Sequence, residues 1–265
     1  MIPEKANDHF TILRDRASTY AADLAILKRK LAPAEFWYPY RSMLNFDHLD
    51  TLLTGPNRSL FHDITPKRAA DIGGADGDVS FFLEHEGWEM TIIDNPRTNW
   101  NGLKGAKLLQ EATGSKVAIR ELDLDSQFAL KERYDLVFFL GILYHLKNPF
   151  YILEQLGSSA RFAFVSTRIM RWSAPTSAAD DVESSTSRQL LEHLPIAYLL
   201  GPAECNNDST NYWIFSDMGL RRLLDRTGWD ILDYRIVGKV DEADPYSAEN
   251  DARAFCFVKS RSFPS

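Results

Sequence analysis

Between Asp71 and Asp78 the chain reads Asp-Ile-Gly-Gly-Ala-Asp-Gly-Asp. The small residues Gly73, Gly74, Ala75 and Gly77 let a backbone pass close to a ligand. The three aspartates restrict which ligand that is. They crowd a pyrophosphate, and the spacing departs from the GxGxxG turn that seats a dinucleotide on a helix N-terminus. A cationic, phosphate-free ligand fits better. Further along, His145 follows a continuous apolar run, and its imidazole can take a proton near neutral pH. Tyr144 beside it can orient a ligand. Asn207, Asn211 and Trp213, grouped with Asn206, Asp208 and Tyr212, set amides beside aromatic rings, which suits a small polar-aromatic molecule. Each group also has a structural reading: a loop histidine bonded to backbone, a core tyrosine, and a turn whose Asn and Asp side chains bond their own main chain.

These residues need elements to hold them. From Lys67 onward strand and helix patterns alternate. RAADI (68–72), MTIID (90–94), KVAIREL (116–122), YDLVFFLGILYH (134–145) and RFAFVST (161–167) read as strands. DVSFFLEHE, GLKGAKLLQEAT and PFYILEQL between them read as helices, the first two closed by Gly87 and Gly114 and the third opened by Pro149. Alternation of this kind predicts a doubly wound, mostly parallel sheet with helices on both faces. ILDYRIVGKV and ARAFCFVKS follow a helix running from Ser216 to Gly228. With no helix between them, they are expected to pair antiparallel. Residues 1–64 are read as an N-terminal helical segment or lid and 65–262 as the main domain. An insertion at about 170–214 is read as a cap. A helix is expected over 6–31 and another over 45–53 with Asn45 as its N-cap.

Composition narrows the classes. With 265 residues, 45% apolar, 25% charged and a net charge of −7, the chain reads as a globular protein with no overall attraction to nucleic acid or anionic membrane. The basic cluster Arg14, Arg16, Lys28, Arg29 and Lys30 alternates with acids and is read as a solvated helix face. Cys205 and Cys256 form no CxxC pair, and no His spacing suggests a metal, so none is expected. No apolar run approaches membrane length. The N-terminus lacks a signal-peptide pattern, and a cytoplasmic setting is expected.

The ordered set of acids adds a resemblance. Asp71-Ile-Gly-Gly-Ala-Asp-Gly77 resembles the first motif, D/E-x-G-x-G-x-G, of class I S-adenosylmethionine-dependent methyltransferases, with Ala75 in place of the middle glycine. The resemblance covers roughly residues 65–260 and implies a seven-stranded, Rossmann-like sheet whose last strand is antiparallel. Asp94, with Asn95 after it, matches the acid that binds the ribose hydroxyls. Asp123, with Leu124 after it, matches the acid that reads the adenine amine, and Asp125 is its rival. Leu140 and Gly141 fall in the fourth motif. The resemblance implies S-adenosyl-L-methionine as cofactor, whose sulfonium and ammonium suit neighbouring carboxylates.

GILYHLKNPFYILEQL is nearest to the fourth motif of the tRNA wobble-uridine carboxymethyltransferases and related small-molecule enzymes. Pro39-Tyr40-Arg41 is similar to their entry segment, but Ser42 replaces the lysine that follows the arginine. Methyl transfer to a small-molecule acceptor is therefore expected. His145 would be the base, and Tyr38 and Arg41, with Trp37 and Tyr40, would form a lid over the cofactor. The alternatives are an RNA-modifying methyltransferase, a binding protein on a degenerate methyltransferase fold, and, less well matched, an NAD-dependent oxidoreductase. The N-terminal helix is open to three readings: packing on its own domain, covering the cleft, or making a homodimer.

Overall fold

The computed structural model describes residues 8–127, 130–174, 188–205 and 207–264. Three helices lead: α1 (His9–Leu31), α2 (Asn45–Leu52) and α3 (Pro56–Asp63). The alternating part follows as β1 (Arg68–Ile72), α4 (Asp78–His85), β2 (Glu89–Asp94), α5 (Lys104–Thr113), β3 (Ala118–Glu121), α6 (Leu124–Gln127), β4 (Tyr134–Leu140), α7 (Pro149–Ser159) and β5 (Ala160–Met170). The chain then adds β6 (Ala197–Leu199), β7 (Trp213–Ser216), α8 (Asp217–Arg226), β8 (Trp229–Gly238) and β9 (Ala252–Ser260).

β3, β2, β1, β4 and β5 lie side by side and parallel. β9 runs antiparallel to β5 from Phe162↔Lys259 to Ile169↔Ala252, and β8 pairs antiparallel with β9. These seven strands are the sheet expected from the sequence, with its antiparallel ending. β6 and β7 are additions. β4 leaves β5 at Leu140↔Ser166, and β7 takes up the vacated edge at Ile169↔Phe215. The insertion therefore extends the sheet past the carboxyl ends of the central strands, where open α/β sheets bind their ligands.

Two hydrophobic layers hold the sheet. One joins Leu136, Phe138, Phe164 and Phe257 to α4 and to Phe10, Leu24, Phe46 and Leu49 of the N-terminal helices. The other joins Val137, Phe139 and Val165 to α7 and α8. α1 thus packs on its own domain. β4 is buried on both faces, as its unbroken apolar sequence requires.

Some local expectations need correction. The strand expected over 134–145 ends at Leu140, because Gly141 turns to φ +74° and Leu143–His145 form a 3₁₀ turn. Asn45 is the first helical residue of α2, preceded by Leu44 at the cap position. α3 was not foreseen. Its proline occupies the first turn, where a missing N–H is harmless. Residues 6 and 7 of the expected first helix, Asn206, and most of the Ser/Asp/Thr-rich stretch lie outside the described residues.

Candidate functional site

The glycine loop leaves β1 and enters α4 at the carboxyl edge of the sheet. Gly73 (φ +70°) and Gly77 (φ +85°) occupy the left-handed region, which glycine enters without cost. A Cβ at Gly73 would collide with the Ile142 side chain, and one at Gly77 would lie 2.6 Å from Ile92 Cδ1. Ala75, at the position of the missing glycine, adopts φ +52° in spite of its methyl group. The loop keeps a glycine-like path with an alanine in it.

The acids divide into two groups. Asp71 is buried under the loop, where Ser80 Oγ donates to its Oδ2 at 3.1 Å. Burial, aided by nearby Asp94 and Asp78, pushes its carboxyl up to about 7 against the Ser80 hydrogen bond. Asp94 ends β2. Its Oδ1 accepts from Asn95 N at 2.7 Å, and its Oδ2 accepts from Ala75 N at 3.2 Å and Asn99 Nδ2 at 2.9 Å. Burial raises this carboxyl also, opposed by those bonds. The loop and the second-strand acid are thereby tied into one unit.

Asp76 and Asp78 do different work from that expected of the loop acids. Lys28 Nζ of α1 lies 3.2 Å from Asp76 Oδ2 and 2.6 Å from Asp78 Oδ1. Asp76, 2% exposed, also accepts from Tyr38 N at 2.8 Å and from Asn101 Nδ2 at 2.7 Å. These two acids bind the N-terminal segment to the loop. Lys28 is accordingly no member of a solvated face. Its spacing gives the reason: it falls four residues after buried Leu24 and turns inward with it.

The proposed lid is also divided. Trp37 is buried, with Nε1 donating to Lys28 O at 3.2 Å and Lys28 over its ring. It is a packing residue of the connector. Tyr38 is half-buried and close to Tyr144, Tyr40, Arg253 and Asp94. Burial, with the tyrosines and Asp94, pushes its hydroxyl up to about 12, while Arg253 opposes. Arg41 is exposed and its side chain makes no hydrogen bond among the described residues.

Asp123 is half-buried and accepts from Asp125 N at 3.1 Å and Ser126 Oγ at 2.7 Å, so it caps α6. Its neighbour Leu124 is buried. Asp125 Oδ1 accepts from Lys147 N at 2.8 Å and pins the turn after β4. Leu140 and Gly141 are half-buried at the end of β4.

The cap sits on that same turn. Tyr212 N donates to Tyr144 O at 2.8 Å, and Trp213 Nε1 to Lys147 O at 3.4 Å. His145 Nδ1 lies 3.0 Å from Thr210 Oγ1 and 3.2 Å from Thr210 O. Burial lowers the imidazole below its ordinary range, against the backbone bond to Thr210 and the charge of Asp208. Tyr144 OH accepts from Arg253 Nη1 at 3.4 Å. Asn211 is buried and donates to Cys205 O at 2.9 Å, whereas its Oδ1 has no partner among the described residues. Asn207 is exposed at φ +53°, and Trp213 is half-buried. Arg168, 2% exposed, fastens the cap by donating to Cys205 Sγ at 2.9 Å.

Sequence reasoning missed Lys28, Asn99, Asn101 and Arg253. Arg253 had a signal, a lone cation within the otherwise apolar run ARAFCFV. Its Nε donates to Asp251 Oδ2 at 3.0 Å. Among the described residues no group of three or more His, Cys, Asp or Glu side chains is arranged to hold a metal, and no helix is long and apolar enough to cross a membrane.

No family model matches the sequence, and no curated protein matches it. Solved structures do resemble the fold. The N-terminal domain of EvdMO1 with SAH bound is 17% identical, with 90% of this chain and 96% of that one covered and a TM-score of 0.53. The same domain with SAH and D-fucose is 18% identical over 77% and 81%, with a TM-score of 0.52. The [4+2]-cyclase SpnF is 12% identical over 94% and 96%, with a TM-score of 0.54. At these identities the likeness concerns the fold, which is the Rossmann-like fold of the class I methyltransferases.

Proposed function

We propose that the protein binds S-adenosyl-L-methionine at the carboxyl edge of β1 and β2 and transfers its methyl group to a small-molecule acceptor beneath the cap. One observation carries this reading: Asp71, the Gly73–Gly77 loop and Asp94 form a joined set at the strand ends. Asp71 is buried with a hydroxyl as its hydrogen-bond donor and, unlike Asp76 and Asp78, no cation paired with it among the described residues. A buried carboxylate of that kind favours a positively charged ligand. The donor set fits the cofactor. Asp94 would hold the ribose hydroxyls, the glycine loop would pass beneath the amino-acid portion, and Asp71 would supply negative charge near the ammonium. Asp123 and Leu124 would border the adenine, with Leu140 and Gly141 beside the reacting centre. When bound, the cofactor supplies an electrophilic methyl group.

The chain's own task is then alignment, exclusion of water and removal of a proton. Tyr38 and Tyr144 would orient the ligands. His145, held neutral by burial, has a nitrogen able to accept a proton. Asn207, Asn211 and Trp213 would contact the acceptor, and Asn211 Oδ1 is a buried acceptor atom still to be satisfied. EvdMO1 was crystallised with SAH and with D-fucose, which supports a small polar acceptor. Ser42, in place of a lysine, and the net charge of −7 count against the tRNA reaction.

The test is incubation with methyl-labelled S-adenosylmethionine and two acceptor pools, one of small phenols, sugars and amines and one of total tRNA. Label is expected in the first pool and absent with His145→Asn. Label confined to tRNA would replace the acceptor assignment. No label in either pool, with cofactor bound, would favour a non-catalytic protein on this fold.

A further inference from the structure

Thr210 joins the cap to His145 in a way that fixes where the imidazole proton sits. Thr210 Oγ1 donates to Asp208 Oδ1 at 2.6 Å, and Thr210 N donates to the same oxygen at 2.9 Å. A hydroxyl has one proton. With that proton given to Asp208, Oγ1 can only accept from its other neighbour, His145 Nδ1 at 3.0 Å. The second neighbour of Nδ1, the Thr210 carbonyl at 3.2 Å, is also an acceptor. Nδ1 therefore carries the proton. In a neutral imidazole Nε2 then holds the free lone pair, and it makes no hydrogen bond among the described residues.

We propose that Asp208 and Thr210 are positioning residues that hold His145 in the Nδ1–H form, so that Nε2 accepts the acceptor's proton. This rests on the methyltransferase reading above. The assigned step is a proton transfer. The acceptor X–H bond breaks with its electron pair left on X, the proton binds Nε2, and the resulting imidazolium keeps Nδ1–H on Thr210 before losing the Nε2 proton to water. Asp208 supplies negative charge behind the cation through the threonine. The groups facing His145 are Asp208 and Thr210 from the cap, Tyr144 with ring centroids 4.3 Å away, and Arg253 from β9. Arg253 disfavours the imidazolium and Asp208 favours it. Burial holds the free imidazole neutral at pH values where it must act as a base.

Asp208→Ala removes the oxygen that takes the Thr210 proton. That proton is then free to point at Nδ1 and admit the Nε2–H form. Thr210→Val removes the hydroxyl but keeps the carbonyl, so Nδ1–H persists while the link to Asp208 is broken. The test is ¹⁵N NMR of histidine-labelled full-length protein across pH, with the signal identified by its loss in His145→Asn.

The expected result is a proton on Nδ1 in the wild type. Mixed Nδ1–H and Nε2–H forms are expected in Asp208→Ala. The titration midpoint should fall in both variants, because a stabilising negative charge is lost or disconnected. Asp208→Glu should restore the wild-type signal. A proton on Nε2 in the wild type, or a form and midpoint unmoved in both variants, would overturn the proposal. S-adenosylhomocysteine affinity, measured alongside, should be unchanged in these variants. Its absence in every protein would instead sink the methyltransferase reading and leave the NMR result standing.

Discussion

The glycine loop and the cap sit at the same edge of the sheet but are held there differently. Asp71, next to last in β1, is in register with Ile92 on one side and Phe138 on the other, and Asp94, which ends the adjacent β2, is in register with Glu121 of β3. Thr210 and Asn211 are held by side-chain and turn bonds, to Asp208 and Cys205, and Trp213 by its bond to Lys147 and an edge pairing with Leu199 of β6. A three-residue strand, β6, is the outermost support. A site that must receive one unchanging cofactor suits a rigid frame. One that must fit a particular acceptor suits loops that can change without disturbing that frame.

Substitutions that break the frame should have the largest effects. Lys28→Met leaves Asp76 and Asp78 with no cationic partner among the described residues, and losing one member of a buried ion pair costs about 3–5 kcal/mol. Urea denaturation should show a loss of that size, and Lys28→Met combined with Asp76→Asn should lose less than the single variant. Gly73→Ala combines a left-handed backbone with a collision against Ile142. It should cost about 2–4 kcal/mol in thermal unfolding.

Asp71→Asn sharpens the comparison through pH. The folded carboxyl titrates near 7, above its ordinary value of 3.8. The stability linked to it is therefore complete below the ordinary value and lost as pH rises through about 7. Denaturation across that window should show a falling wild-type stability and a flatter Asp71→Asn profile. The same variant should bind a cationic ligand at least about tenfold more weakly, on the scale of one charge-assisted contact. The smallest effect belongs to the cap. Trp213→Ala, on a half-buried ring, should leave S-adenosylhomocysteine affinity within about twofold of wild type while reducing turnover of the acceptor.

The difference between the two regions also governs what the sequence discloses. β1 was readable to the residue as RAADI, because a buried parallel strand is a short apolar run bounded by turn residues. Asp94 was placed for the same reason, at the end of MTIID. Asp76 and Asp78 were legible as acids but not as partners of Lys28, some fifty residues earlier in the chain, because an ion pair between distant elements leaves no local pattern. The relay from Asp208 through Thr210 to His145 was likewise hidden. Asp, Thr and Asn in a short stretch read as a turn, and a turn is what their local bonds make; the bond to His145 spans 65 residues. β4 was read too long because GILYH continues the apolar run, and only the positive φ of Gly141 ends the strand.

On the proposed function, the joined acids and glycine loop hold S-adenosylmethionine. Calorimetric titration with S-adenosylmethionine, S-adenosylhomocysteine and NAD, beside Asp94→Ala, tests it most directly. Binding of the first two at about micromolar affinity, roughly −8 kcal/mol, lost in Asp94→Ala and absent for NAD, is the predicted result. Binding of NAD, or no binding of either sulfur ligand at about millimolar concentration, would contradict it.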